Sequence, residues 1–548
     1  MLLLLVAGCN MVVPVRQAAL VLDNPSASVA VLEPTQLSED ASFRPDEGSH
    51  PPAAQPPAVP SPSPSPDPSQ RSVPPEETNA PPLSPPPETV PPGTPQQAEL
   101  PETILLDDVL RSLYASYPLV RVALEQRTIA QGQLLENMGQ FDLKLKGGGT
   151  SGPLGFYQTY RYGAGLEQAL WGGGQVFAGY RIGRGSFQPW YGERETDDGG
   201  EFKTGFLIPL VRNRRIDQRR AAIFRAVLGR EAVEPDILTQ LLQYIRLASY
   251  AYWEWVAAGH TVRIEQQLLD IALQRRQGLQ KRVEQGDLPQ IELTDNERLI
   301  ASRRASLIDA QRKFRQAAIK LSLFLRDASG FPVLPPPDAL PPSFPEARPY
   351  DDQRLAQDID TALTARPEIQ YLDLLRQQLQ VDLDQAQNLY LPDVSLGAVA
   401  AKDLGPLASP KGDKRPFELE ISLMVSVPLQ RRKALGKIQA TQGKLAQVRM
   451  KTQFAREKIA AEVRHAVAAL RAAYNRIIQA RRSVELNQTL EEAERKRFEA
   501  GDSNLLMVNL REQATADARK TLVAAQLEYF QALADLRAAI SDIPDPAP

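Results

Sequence analysis

The sequence is short of the residues that bond-making chemistry usually needs. Among 548 residues there is one cysteine, and there are three histidines. A single thiol excludes an intramolecular disulfide, and His50, His260 and His465 fall too far apart for zinc-ligand spacing. No nucleophile elbow or phosphate loop stands out. The glycine runs 147–149 and 172–174 lie in β-rich sequence, where turns and loops are expected. These shortages exclude the common catalytic and metal-bearing classes, and no cofactor is expected. There is also no run of about 18 apolar residues, so a transmembrane helix is excluded. With a formal charge of -3 the chain has no general basic surface, which excludes nucleic acid as its main partner.

Proline is plentiful but unevenly placed, with about half of the 47 in the first 100 residues. Residues 10–100 contain SPSPSPDPS and PPLSPPPETVPPG and almost no apolar periodicity. Such a composition cannot bury enough surface to offset chain entropy, so an extended, disordered tether is expected. Ahead of it, Cys9 follows MLLLLVAG. Leu5, Val6, Ala7, Gly8 and Cys9 resemble the lipobox of bacterial lipoproteins, which implies that residues 1–9 act as a signal segment and that Cys9 carries lipid. The basic n-region is missing and the apolar run is short, so either translation starts upstream or the signal is inoperative.

Order begins near Ile104 and is mostly helical. From Leu445 through Val448, Ala455, Ile459, Val463, Ala466, Leu470, Tyr474, Ile477, Val484 and Leu490, apolar side chains recur at threes, fours and sevens. No proline or glycine interrupts residues 444–500. A helix of that length reaches roughly 80 Å at 1.5 Å per residue and needs a coiled-coil neighbour throughout. Residues 217–285 read as a second long helix, weakened near Pro235. Each ends at Gly-Asp, and a shorter helix returns over 290–326 and 505–540. His465 reads as a packed helix residue.

Two β regions interrupt the helices. In residues 417–427 the odd positions are Phe417, Leu419, Ile421, Leu423, Val425 and Val427, while Glu418, Glu420 and Ser422 take most even ones. That is one apolar and one polar face, over the roughly 9–11 residues that cross a bilayer in a barrel. Residues 394–401 are its expected partner, across a polar loop at 411–416. The earlier region, 141–209, gathers Phe156, Tyr157, Tyr160, Tyr162, Trp171, Phe177, Tyr180, Phe187, Trp190 and Tyr191. Aromatic girdles at membrane interfaces have this character, and so does the packing of extracellular loops.

The chain is written twice. KRVEQGD at 281–287 matches KRFEAGD at 496–502 in five of seven positions, an offset of 215. RSLYASYPLVRVALEQ answers TALTARPEIQYLDLLRQ, with Pro118 opposite Pro367, and FLIPLVRNRR answers VSVPLQRRKA, with Pro209 opposite Pro428. The first repeat is assigned to 101–348 and the second to 349–548. The prolines are 91 residues apart in the first and 61 in the second, so about 30 extra residues enlarge the first β region. Whether 163–185 forms an additional hairpin outside the membrane is left open.

In order and in duplicate, these motifs resemble the TolC-like outer membrane efflux protein family over residues 104–541. The resemblance implies a mainly α fold with membrane β: a homotrimer of long coiled-coil hairpins forming an α-barrel in the periplasm. A 12-stranded barrel in outer membrane lipid, four strands per protomer, would continue it. The implied function is an exit duct for tripartite efflux or type I secretion, passive, served by a periplasmic adaptor and an inner membrane transporter. A periplasmic, lipid-anchored coiled-coil scaffold is the competing expectation. By resemblance Arg282, Gly286, Asp287, Arg497, Gly501 and Asp502 form an adaptor-docking tip, with helix capping as the competing role. Beyond the tip, Glu292 and Asp295 in the first half face Met507 and Leu510 in the second as aperture candidates. An apolar ring of Met507 and Leu510 implies steric closure, and their competing role is coiled-coil core.

Overall fold

The computed structural model of the protein describes residues 101–187, 194–327, 329–408 and 417–543. Cys9, the 10–100 tether, His50, Trp190, Tyr191 and the 411–416 loop lie outside the described residues. In the first half α1 (Leu106–Ser116) and α2 (Pro118–Met138) precede β1 (Lys144–Gly152), β2 (Thr159–Ala169), β3 (Gln175–Gly185) and β4 (Glu201–Pro209). Then come α3 (Gln218–Glu284) and α4 (Gln290–Ser322). The second half runs α5 (Leu355–Ala365), α6 (Pro367–Asn388), β5 (Asp393–Asp403), β6 (Phe417–Ser426), α7 (Arg432–Glu499) and α8 (Leu505–Ala539). Element order is the same in both halves, with four strands in one and two in the other.

Local chemistry sets the breaks. Pro118 and Pro367 each take the first helical position after an extended residue, Tyr117 or Arg366, where the missing N–H is harmless. Pro235 does not break α3, contrary to the expected weakness. The helix runs 67 residues through it, about 100 Å. Proline removes one helical hydrogen bond, but Pro235 is buried, and next to it Arg127 on α2 donates from Nε and Nη2 to Glu234 at 2.7 and 2.8 Å. Tertiary contact outweighs the local defect. The second long helix begins twelve residues earlier than expected, at Arg432, tolerating Gly436 and Gly443. α4 stops at Ser322, short of 326.

The helices pack as two antiparallel pairs, α3 with α4 and α7 with α8, flanked by α2 and α6. The apolar stripe of α7 is buried at Leu445, Val448, Ile459, Val463, Ala466, Leu470 and Ile477, whereas Leu490, near the far end, is exposed. The main core lies midway along the pairs. There Trp253 stacks between Phe530 (centroids 4.1 Å apart) and Phe344 (5.8 Å), and Trp255 is fully buried. Among the described residues no helix is long and apolar enough to cross a membrane.

All six strands form one antiparallel sheet in sequence order. The chain therefore contributes six strands, not four. The extra pair is β2–β3, and it lies within the sheet: β2 bonds β1 on one side and β3 on the other. Its turn, residues 170–174, is seated at the end where the sheet meets the helices. A Cβ on Gly174 would lie 2.1 Å from the Leu207 carbonyl oxygen, and one on Gly173 would lie 2.7 Å from that of Asn213. Both glycines have positive φ, so the turn and its close approach each require them. The run 147–149 is strand, not loop.

His260 sits against Phe344 with centroids 5.3 Å apart, and burial, then the nearby Arg263 charge, pushes its pKa down to about 4 from 6.5. His465, expected to be packed, is exposed. The folded state disfavours protonation of His260, so the unfolded chain binds more protons below pH 6.5. Its contribution to stability is intact above pH 6.5 and is lost as pH falls towards about 4. The melting temperature of the protein is expected to fall across this window, and His260→Gln to flatten the part between pH 6.5 and 5, where most carboxylates stay ionised. Parallel curves for protein and variant would contradict this.

Candidate functional site

Two regions gather the residues with something to do: the helical tips and the sheet. At each tip the chain reverses through the same hydrogen bonds. The Gly286 N–H donates to Val283 (3.0 Å) and the Asp287 N–H to Arg282 (2.9 Å); Gly501 donates to Phe498 (3.1 Å) and Asp502 to Arg497 (2.9 Å). With φ of 80° and 86°, the glycines close Schellman caps. Capping therefore accounts for Gly286 and Gly501, and for the backbones of Asp287 and Asp502. It does not account for the side chains. Arg282, Asp287, Arg497 and Asp502 are all exposed. The Arg497 guanidinium reaches the Asp502 carbonyl at 3.3 Å and Glu494 at 3.5 Å, stiffening the second tip.

Beyond the tips, the aperture candidates separate. Leu510 is 58% exposed and Leu506 68%, while Met507 is half-buried. Leu510 is thus not coiled-coil core, and α8 buries Leu505, Val508, Asn509 and Glu512 instead. In the first half Glu292 and Asp295 are half-buried, and Asp295 accepts from Arg298 Nε at 3.0 Å. The structure does not bring the four candidates together as one cluster within the chain.

What the sequence reading missed is an ionic knot between the helix pairs. Glu512 on α8 is 1% exposed and takes Arg275 from α3 on Oε1 and Arg303 from α4 on Oε2, the latter at 3.0 Å. Arg275 also donates to Asn509, and Arg303 Nη1 donates to the Leu268 carbonyl at 2.7 Å. Burial draws the Arg303 guanidinium below its ordinary pKa, and the Glu512 carboxylate opposes that shift. Farther along the same α3–α8 seam, Lys520 donates to buried Glu265 (3.0 Å), Arg519 to Gln267 (3.1 Å), and Tyr250 to Asp535 (2.7 Å). Between pairs the α3–α8 seam is apolar at mid-length, where Trp253 stacks on Phe530, and polar towards the tips. A sequence signal existed: Leu505, Val508 and Glu512 share one helical stripe, so a carboxylate stood on a buried face. Among the described residues no group of three His, Cys, Asp or Glu could hold a metal.

The sheet divides its side chains by sign of hydropathy. Registered across β6 and β5, one face carries Phe417, Leu419, Ile421, Leu423 and Val425, then Lys402 at the end away from the helices, Ala400, Ala398, Leu396 and Val394. The same face continues through Phe202, Thr204, Phe206 and Ile208 to Val176, Ala178, Tyr180 and Ile182, and on to Tyr160, Tyr162, Ala164, Leu166 and Leu145, with Arg184 at its outer end and Gln168 at its helical end. Its large side chains lie open, Ile421 at 69% and Leu423 at 64%. The opposite face bears Lys144, Lys146, Arg161, Glu167, Arg181, Glu201, Lys203, Glu418 and Glu420, partly paired, as in Lys146–Glu167 at 2.6 Å. Aromatic side chains cluster at both ends of the apolar face. Tyr160, Tyr162, Tyr180, Phe202 and Phe417 stand away from the helices, and Trp171 packs on Phe141 (5.2 Å) and Phe224 (6.1 Å) beside them. Of the aromatic group in the sequence, Phe177 turns to the polar face and Phe156 lies in the β1–β2 turn.

Against known proteins, the outer membrane efflux protein family profile matches residues 359–541, from α5 to the end of α8. No curated protein sequence matches the chain. Solved structures share its fold over 79% of its length. The outer membrane protein VceC from Vibrio cholerae is 17% identical, with a TM-score of 0.57 and 95% of that chain covered. The Campylobacter jejuni CmeC outer membrane channel is 15% identical (TM-score 0.56, 85% covered), and the open state of the Neisseria gonorrhoeae MtrE outer membrane channel is 16% identical (TM-score 0.56, 88% covered). The resemblance to TolC-like channels expected from the sequence is borne out.

Removing Glu512 would leave two guanidinium groups buried without their counter-charge. Glu512→Ala is expected to destabilise the chain by about 3–5 kcal/mol, while replacing Arg275, Arg303 and Glu512 together by Leu or Met recovers most of that. Thermal unfolding checks the magnitudes, and hydrogen exchange should localise the loosening to the α3–α8 seam.

Proposed function

We propose that this protein, with the efflux family signature in its second half and the fold of outer membrane channels along most of its length, is the exit duct of a tripartite efflux or type I secretion system. One observation carries the reading: a six-stranded sheet with a continuous, exposed apolar face and a charged opposite face stands on helices about 100 Å long. An apolar face of that extent belongs against lipid, and the polar face against water. A duct breaks no bond, so substrates pass down their gradient from periplasm to exterior and the energy comes from an inner membrane partner.

Lipid leaves no sheet edge unpaired, so β1 and β6 call for neighbouring copies, and three copies complete the barrel. The helix pairs then line the periplasmic part. At its end the exposed arginines and aspartates of the tips are offered to the hairpins of a periplasmic adaptor. Leu506 and Leu510, exposed on α8, face the axis and close it sterically. Opening swings α7–α8 outwards from α3–α4, and the Glu512 knot and the polar seam resist that swing. Cys9 would add a lipid anchor to the same membrane.

Full-length protein purified in detergent is expected to be trimeric by native mass spectrometry and to carry ions across planar bilayers. A chain that stays in solution without detergent as a non-conducting coiled coil would instead be a periplasmic scaffold. Arg497→Ala with Asp502→Ala keeps the cap and should weaken adaptor cross-linking several-fold with little change in melting temperature. If only Gly501→Ala impairs the complex, the tip serves as a cap alone.

A further inference from the structure

The β2–β3 hairpin has no place in a four-strand protomer, and its position decides what it does. It runs the full height of the sheet, eleven residues up and eleven down, with its turn locked against Leu207, Pro209 and Asn213 at the helical end. It shares the apolar face, through Tyr162, Ala164 and Leu166 on β2 and Val176, Ala178 and Tyr180 on β3, and the charges on that face, Arg184 and Lys402, stand at the end away from the helices. Strands folded out into solvent would have no use for a lipid-compatible face. β1 continues it with Leu145, the glycines Gly147 and Gly149, and Ser151.

Glycines on the polar face permit the curvature a wall needs. On the polar face a Cβ on Gly165 would lie 2.8 Å from the Ala178 carbonyl oxygen, and one on Gly179 would lie 3.0 Å from that of Ala164. Glycines at such close cross-strand approach let a sheet bend towards the face they occupy. The arc follows from general spacings: strands about 4.8 Å apart and tilted about 40° each take about 6 Å of circumference, so six span about 37 Å and four about 25 Å. Four long helices, α3, α4, α7 and α8, side by side at about 8–10 Å span about 32–40 Å. Six strands therefore fit within the helical arc of one protomer.

We propose that all six strands enter the membrane and that β1 of one copy pairs antiparallel with β6 of the next, so that three copies close an eighteen-stranded barrel. This rests on the trimeric duct of the preceding subsection but departs from the twelve strands expected for it. Large β6 side chains, Leu419, Ile421 and Leu423, then lie across the bare glycines of β1. A barrel of this size leaves an open aqueous channel, since strand number sets its width.

Disulfide cross-linking in the full chain tests the closure. In a Cys9→Ser background, Thr150→Cys on the polar face of β1 is combined in turn with Glu418→Cys, Glu420→Cys and Ser422→Cys on the polar face of β6, which brackets the register. In parallel, Arg181→Cys on β3 is combined with the same three. Oxidation in detergent is expected to give linked dimers and trimers on denaturing gels from at least one β1–β6 pair and from no β3–β6 pair. Linked trimers from β3–β6, or trimers by native mass spectrometry with no β1–β6 link, would overturn the eighteen-stranded closure and leave the duct standing. A variant set that is monomeric by native mass spectrometry before oxidation would remove the duct itself.

Discussion

A strand placed in hydrocarbon must have every backbone N–H and C=O bonded, because no water is there to take an unpaired group. That requirement organises the molecule. Six strands bond to one another in chain order, and only the outer edges of β1 and β6 are left over. A single chain cannot satisfy them, so the proposed assembly follows from hydrogen bonding before any helix is considered. The same requirement fixes where the sheet can be irregular. Its positive-φ turns and its loops lie at the two ends, where water or the helical rim takes over.

Below the sheet the energetic balance reverses. The helix pairs hold together largely by apolar contact, through leucine and alanine stripes along α3–α4 and α7–α8. Between pairs the tryptophan stack joins α3 to α8 at mid-length, and towards the tips the contacts are ionic and hydrogen-bonded, with Glu512 and Glu265 buried on the seam. Apolar packing is indifferent to small slides but costly to expose. A buried ionic contact has one good geometry and is lost at once when its partners part. Pairs joined by such a seam have the makings of two discrete arrangements rather than a continuum.

The junction between these regimes is narrow. Beyond Pro209, Asn213 adopts a left-handed conformation and its N–H bonds Asn388 Oδ1 at 2.8 Å, while the Asn388 amide returns to Asn213 Oδ1 at 3.0 Å. Beyond Pro428, Arg431 is also left-handed and lies over the Tyr390 ring at 4.4 Å. Both repeats thus turn from strand to helix by the same device. The first turn is tied to the second half of the chain, so the sheet and its stalk are built from both repeats together.

Much of this was legible in the sequence because it is periodic or local. The stripe of α7, the alternation of β6, the proline breaks at Pro118 and Pro367 and the twin Gly-Asp reversals all follow from neighbours within a few residues. The strand count was not legible: β1 reads KLKGGGTSG, and the place of a strand so poor in side chains in the sheet appears only when its register against β2 is known. Pro235 misled for the opposite reason, since a local rule was overruled by contacts from α2. Glu512 stayed hidden because its partners, Arg275 and Arg303, are more than two hundred residues away. Sequence alone determined which elements exist, because propensity and hydropathy act over a turn or two. Tertiary structure decided which faces meet, since pairing register and buried charge depend on atoms the chain brings together only after folding.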